Sequence, residues 1–218
     1  SRGKEVQHVR EAIIRMGMQE VANIAAAAST RSLFDLSVRS SHQSFGAKWK
    51  TLWAASTTCA FGSCWLAART RRGDPQRAFL SGLLHDIGKI TALRAYDEVQ
   101  RRMPGMEPLS ERLLETLLES VHVEVGLRML NHWQLPSYLE RICAEHHARE
   151  LPLDPDILEV HLIRIIAGLY DITTNPWYRR PVEKEVKQSM HEFGLELGAL
   201  GEIVTQLKNL SQKAKALL

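Results

Sequence analysis

Cysteine is scarce in this chain. Only Cys59, Cys64 and Cys143 occur in 218 residues. No two of them have C-x-x-C spacing, and an odd count gives no disulfide framework. They read as small buried hydrophobes. No uninterrupted apolar run approaches the roughly 20 residues that cross a bilayer. The opening Ser1-Arg2-Gly3-Lys4-Glu5 holds no signal-peptide apolar region, so the expectation is a cytosolic protein without a membrane span. An initiator Met is missing, which reads as a fragment or a trimmed chain. Charge of one sign is lacking too. Lys and Arg number 28 against 25 Asp and Glu, net +3, too little for general polyanion binding. No basic, aromatic-interleaved strand supports a nucleic-acid partner. Trp49, Trp53, Trp65, Trp133 and Trp177 therefore read as core or half-buried aromatics.

Alternating strand patterns are absent as well, and what is present is helical periodicity. Val6, Val9, Ile13 and Met16, then Val21 and Ile24, recur at steps of three or four, with Gly17 between two short helices. A long helix is predicted from Phe45 to Ala68. Gly73-Asp74-Pro75 is a stop-and-restart signal: Gly past one helix, Asp as N-cap, Pro at the first helical position. The next helix carries Phe79, Leu80, Leu83 and Leu84 and delivers His85 and Asp86 at its end, where Gly88 is expected to break or bend the chain. Beyond Met103-Pro104-Gly105 the pattern predicts a helix over Glu107–Glu119, then one from Val121 to Trp133 capped by Ser120. Another is expected from Leu135-Pro136 through Ile142 to His147. Leu151 to Asp156 reads as a loop, Ile157 to Thr173 as a helix ended by Asn175-Pro176, and Val182 to Leu217 as two more helices. The fold class is all-α. The stretch from Leu195 either covers its own core or mediates dimerisation. Arg69, Arg71, Arg72 and Arg77 read as a solvated helix end, the alternative being a docking patch for an acidic partner.

Chemistry concentrates in histidine. Adjacent His85 and Asp86 offer one imidazole nitrogen and one carboxylate oxygen, donors suited to iron, manganese, zinc or magnesium. His122 is expected to start a helix and His146-His147 to end one. Helix ends let ligands from several elements converge. Neighbouring helical residues point about 100° apart, so only one of His146 and His147 is expected to reach a given site. His8, His42, His132, His161 and His191 read as ordinary surface or half-buried histidines.

Several segments carry a family resemblance. Leu80-Ser81-Gly82-Leu83-Leu84-His85-Asp86-Ile87-Gly88-Lys89 resembles the signature of the HD superfamily of metal-dependent phosphohydrolases. The closer resemblance is to the HDOD branch, the HD-related output domain of bacterial signalling proteins. It is carried by Arg10–Gly17, by Leu52-Trp53-x-x-Ser56, by Val121-His122-Val123-Glu124-Val125-Gly126, by Trp133-Gln134-Leu135-Pro136 and by Glu145-His146-His147, in that order. It spans about residues 9–210 and implies an HD-like helical bundle forming one domain over 1–218. Residues 1–45 would be N-terminal helices, 46–175 the core and 176–218 C-terminal helices. The family's N-terminal helical portion is expected to be missing.

The resemblance also implies a metal site of His85, Asp86, His122 and His146, with Gly88, Lys89 and His147 as motif residues. It is incomplete. The family's upstream His falls on Ala55, which has no donor atom, and its later Asp falls on Gly168, with Asp171 one turn on as a substitute. After His146-His147 comes Ala148-Arg149-Glu150-Leu151-Pro152, not the Gly-Tyr-Pro segment of the cyclic-di-GMP-degrading relatives. The expected function is therefore a non-catalytic signalling domain with a degenerate metal site. Its partner would be a protein such as a kinase, a response regulator or a diguanylate-cyclase-type domain. The alternative is a phosphohydrolase or phosphodiesterase using His85, Asp86, His122 and His146 with an unorthodox fourth group.

Overall fold

The structure, a computed structural model, describes residues 43–103, 105–174 and 179–216. These lie in the larger of two units of the chain, Leu36–Leu218. The Arg10–Gly17 segment, the N-terminal helical pattern, His8, His42, Asn175-Pro176 and Trp177 fall outside the described residues. The described elements are α1 (Gln43–Thr70), α2 (Pro75–Leu84), α3 (Ile87–Arg102), α4 (Glu111–His132), α5 (Ser137–Glu145), α6 (Glu159–Thr174), α7 (Arg179–Glu192) and α8 (Leu200–Ala216). Two 3-10 turns, Pro155–Ile157 and Leu197–Ala199, complete them. Among the described residues there is no strand, and no helix is long and apolar enough to cross a membrane.

α1 is the spine, packed against α2, α3, α6 and α8. Its buried face repeats at steps of three and four, Phe45, Trp49, Leu52, Trp53, Ser56, Cys59, Ser63 and Leu66, the period of a helix seated in a core. The Trp49 and Trp53 rings stack 6.0 Å apart. Buried Thr57 and Thr58 donate their hydroxyls to the carbonyls of Trp53 and Ala54, so neither is left unpaired. The turn after α1 follows its sequence signal. Asp74 Oδ1 accepts from the amides of Gln76 and Arg77, Pro75 opens α2, and Gly73 takes φ 77°, open to glycine without strain.

The arginine cluster is less free than its pattern suggests. Arg71 is exposed, but Arg69 pairs with Glu202 on α8 at 3.1 Å. Arg72 bonds the Phe193 carbonyl and covers its ring. Arg77 pairs with Glu159 at 3.5 Å and lies over Tyr138. Three of the four tie helix ends together.

Two boundaries differ from expectation. The break between α2 and α3 falls at His85-Asp86, not at Gly88, which lies in the first turn of α3. A Cβ on Gly88 would overlap the His122 carbonyl oxygen and stand 2.7 Å from the Gly126 amide nitrogen. Gly88 therefore serves close helix crossing, not bending. Nor does Ser120 start a helix. α4 runs unbroken from its cap at Ser110, and the Ser120 hydroxyl donates back to the Leu117 carbonyl at 2.8 Å. Buried Leu114, Leu118, His122, Gly126 and Leu130, four residues apart, carry the helix through that point. His122 is thus mid-helix.

α6 is buried on nearly every side and centres a core shared with α1, α5, α7 and α8. Ile203, Leu207, Leu210 and Ala214 of α8 are buried, and Gly62 of α1 brings α8 close at Leu207. The C-terminal stretch therefore covers its own core. Cys59 and Cys143 are buried, Cys64 is half-buried, and among the described residues no disulfide joins any of them. The expected loop at Leu151–Asp156 holds the start of a 3-10 turn at Pro155, capped by Asp154.

Gly88→Ala should destabilise the fold by about 1–3 kcal/mol or more in urea unfolding, because two backbones must separate. Gly201→Ala, at an exposed helical glycine with open space around it, should stabilise by about 0.5–1 kcal/mol. Equal effects would remove the crossing argument.

Candidate metal centre

Three elements end or cross at one point. The turn after α2 supplies Asp86, the middle of α4 supplies His122, and the turn after α5 supplies His146 and His147. One donor atom from each of these four lies within 4.8 Å of the others. Nε2 of His122 is 3.6 Å and Nε2 of His146 3.5 Å from Asp86 Oδ1. His85 stands on the other side, its Nε2 3.5 Å from Asp86 Oδ2.

The proton on each ring is fixed by the helix that carries it. Nδ1 of His85 faces the Gly82 carbonyl at 2.9 Å, Nδ1 of His122 that of Glu119 at 2.8 Å, and Nδ1 of His146 that of Cys143 at 2.9 Å. A carbonyl can only accept, so each neutral ring keeps its hydrogen on Nδ1 and a lone pair on Nε2. Burial lowers the pKa of His122, and that of His85 to about 4, so both favour the neutral form. The result is Nε2 of His122, Nε2 of His146 and Oδ1 of Asp86, all buried and all without a hydrogen-bond partner. Three lone-pair acceptors facing one another make a donor set that a cation between them would satisfy. Metal–nitrogen bonds of about 2.0–2.1 Å put tetrahedral ligand atoms roughly 3.3 Å apart, close to the separations found. The residues fit a divalent ion.

The second Asp86 oxygen is engaged elsewhere. Lys89 Nζ lies 2.9 Å from Oδ2 and 2.6 Å from Glu119 Oε1. Burial works to lower the Lys89 pKa, but Asp86 and Glu119 outweigh it and hold the ammonium charged. Burial likewise opposes the Asp86 charge, and Lys89 above all overcomes it, keeping that carboxyl well below its usual range.

The sequence-predicted residues are thus partly assembled. Asp86, His122 and His146 meet, and His147 joins them, so both members of the histidine pair reach one point. The reason is that α5 ends at Glu145, and the two rings follow in a turn with centroids 4.0 Å apart. His85 contacts Asp86 but lies outside the four-donor group. Ala55 is half-buried, Gly168 is buried, and Asp171 is half-buried outside the group. Burial raises the Asp171 pKa to about 7, with Lys89 pulling the other way. Glu119 was not among the expected residues. It lies three before His122, and only an unbroken α4 makes it a neighbour. His132 and His191 are exposed, as expected of ordinary histidines, whereas His161 is fully buried.

The HDOD domain family model matches residues 1–149. A protein of Treponema pallidum (strain Nichols), itself uncharacterized, is 24% identical over 160 residues, which is 70% of this chain and 29% of that protein. The chain thus spans under a third of that relative. A crystal structure from Shewanella amazonensis SB2B, described provisionally as a metal-dependent phosphohydrolase, superposes with a TM-score of 0.69. The match covers all of this chain and 75% of the other at 17% identity, a likeness of fold.

A raised carboxyl pKa sets the sign of one pH effect. Between about 3.8 and about 7 folded Asp171 keeps a proton that the unfolded chain releases. Its contribution is fully favourable below that window and is lost as pH rises through it. Asp171→Asn should therefore leave stability unchanged near pH 3.8 and raise it above pH 7 by up to about 4 kcal/mol. Urea unfolding across pH measures this, and a pH-independent effect would sink it.

Proposed function

The chain belongs to the HDOD domain family, and from that premise we propose that it is a cytosolic, non-catalytic signalling domain with a single divalent-ion site. Asp86, His122, His146 and His147 would hold the ion, and output would pass through contacts with a protein partner. The observation that carries this reading is the division of Asp86. Oδ1 faces His122 and His146, while Oδ2, with His85 at 3.5 Å, is paired with a buried ammonium. Lys89 stands as a fixed positive charge where a second cation would otherwise balance Asp86 and Glu119.

Bound there, a divalent ion would polarise an oxygen that reached it. Four protein donors fill a four-coordinate ion, the pattern of structural rather than catalytic sites. Ala55 and Gly168 offer no donor to extend the set. The chain's own residues then do mechanical work: one centre joins the turn after α2, the middle of α4 and the end of α5. A shift of any one would be felt by the others, which suits a domain read by a partner.

A second reading keeps the phosphohydrolase chemistry of the superfamily, with Asp171 moving in as the missing carboxylate. The favouring observation is that Asp171 shares the electrostatic surroundings of Lys89 and Asp86.

Elemental analysis of protein purified without chelator tests both. The expectation is about one equivalent of iron, manganese, zinc or magnesium per chain, lost in His122→Ala and His146→Ala and retained in His132→Ala. A phosphodiester screen with each metal supplied should give no turnover. Turnover abolished by His146→Ala and by Asp171→Asn would establish the enzyme instead, and two equivalents of metal would overturn the single-ion site.

A further inference from the structure

The facing sides of α6 and α7 hold a second buried polar group that the metal centre does not use. Arg164, on α6, is 3% exposed. Its Nε and Nη1 have no hydrogen-bond partner. Its Nη2 has one, Gln188 Oε1 on α7 at 3.3 Å. Even that contact points the wrong way. With its amide rotated by half a turn, Gln188 donates to the Arg149 carbonyl at 3.0 Å and accepts from the Leu151 amide at 3.1 Å. The rotated amide satisfies both of those groups and turns a donor toward Arg164.

Among the described residues no carboxylate pairs with the guanidinium. Glu185 on α7 is influenced by Arg164, yet no ion pair joins them among the described residues. A guanidinium does not lose its proton in a protein, and a buried charge without a partner is among the costliest groups a fold can hold. Beside Gln188, Ser189 is fully buried and its hydroxyl also lacks a partner. His161, one turn before Arg164, directs Nε2 at the Pro152 carbonyl at 3.4 Å. That leaves its Nδ1 an acceptor, so it adds no donor.

We propose that Arg164 and Ser189 form a binding site for a small oxyanion, a carboxylate or a phosphate group, held between α6 and α7. The planar fork of Arg matches two oxygens of one anion, and the buried, unpaired hydroxyl of Ser189, on the residue after the Arg164 contact Gln188, is the further donor the site would draw on. Water would satisfy hydrogen bonds but leave the charge unbalanced. This site does not rest on the metal reading, although Glu185 is influenced by Arg164 and His146 alike, which puts the two groups in one electrostatic neighbourhood.

Thermal unfolding of the whole chain tests it, with inorganic phosphate and acetate as probes against chloride at matched ionic strength. The wild type should gain little Tm below the dissociation constant of the anion and then a constant step per tenfold increase above it, as a ligand of the folded state requires. A response to phosphate alone marks a phosphate site, and a response to acetate marks a carboxylate site. Arg164→Met should lose the response and, in chloride, unfold no earlier than the wild type, because an unpaired charge has been removed. Ser189→Ala, the milder change, should fold normally and need about tenfold more anion for the same gain. His122→Ala should keep the response. Indifference of the wild type to both anions would overturn the proposal. So would an unchanged response in Ser189→Ala together with Arg164→Met, or a response lost only in His122→Ala, which assigns the anion to the histidine cluster.

Discussion

Where α3 crosses α4 the two backbones touch, and the candidate metal centre depends on that contact. Gly88 rests on the carbonyl of His122, and Gly126 on the same side of α4 leaves room for the Cys143 sulfur. No residue with a Cβ fits at Gly88 without moving α4 outward. Asp86 is two residues before Gly88, so the crossing sets how far the carboxylate stands from the His122 ring. A glycine that could pass for a flexible break is a spacer fixed by sterics. The same device recurs where Gly82 of α2 lies against the backbone of Ala60 in α1, which anchors the helix leading into His85 and Asp86.

Around that crossing the charges arrange themselves about a single buried carboxylate. Asp86 has cationic Lys89 and the His85 imidazole against one oxygen and the imidazoles of His122 and His146 against the other. An ion added beside Oδ1 would complete a row of alternating sign from Glu119 through Lys89 and Asp86. Such a row is stabilising only when every member is present, because each buried charge is balanced by the next.

Much of this was legible in the sequence, and the misses have physical causes. Gly73-Asp74-Pro75 marked its turn because capping and φ preferences are local. The placement of His85 and Asp86 at the end of α2 followed from the apolar run before them. Ser120 misled because a serine looks the same as an N-cap and as a hydroxyl bonded back along a helix. That false break hid Glu119. The reach of both His146 and His147 was missed because the 100° rule applies inside a helix, and the helix stops at Glu145, two residues sooner than the pattern predicts. Arg164 was invisible, since one cation in an apolar helix ordinarily marks the solvent face. Only the packing of α7 against it shows the charge to be enclosed.

The Nδ1 bonds of His85, His122 and His146 each reach back three residues within the same stretch of chain. Which nitrogen of each neutral ring carries the hydrogen is therefore a property of its own helical turn, set without help from any distant part of the molecule. Three separately wound pieces arrive already carrying a lone pair on the correct nitrogen. Assembly of the centre is then a matter of docking alone, with no tautomer to exchange and no ring to reorient, and its accuracy is inherited from the regularity of the α-helix.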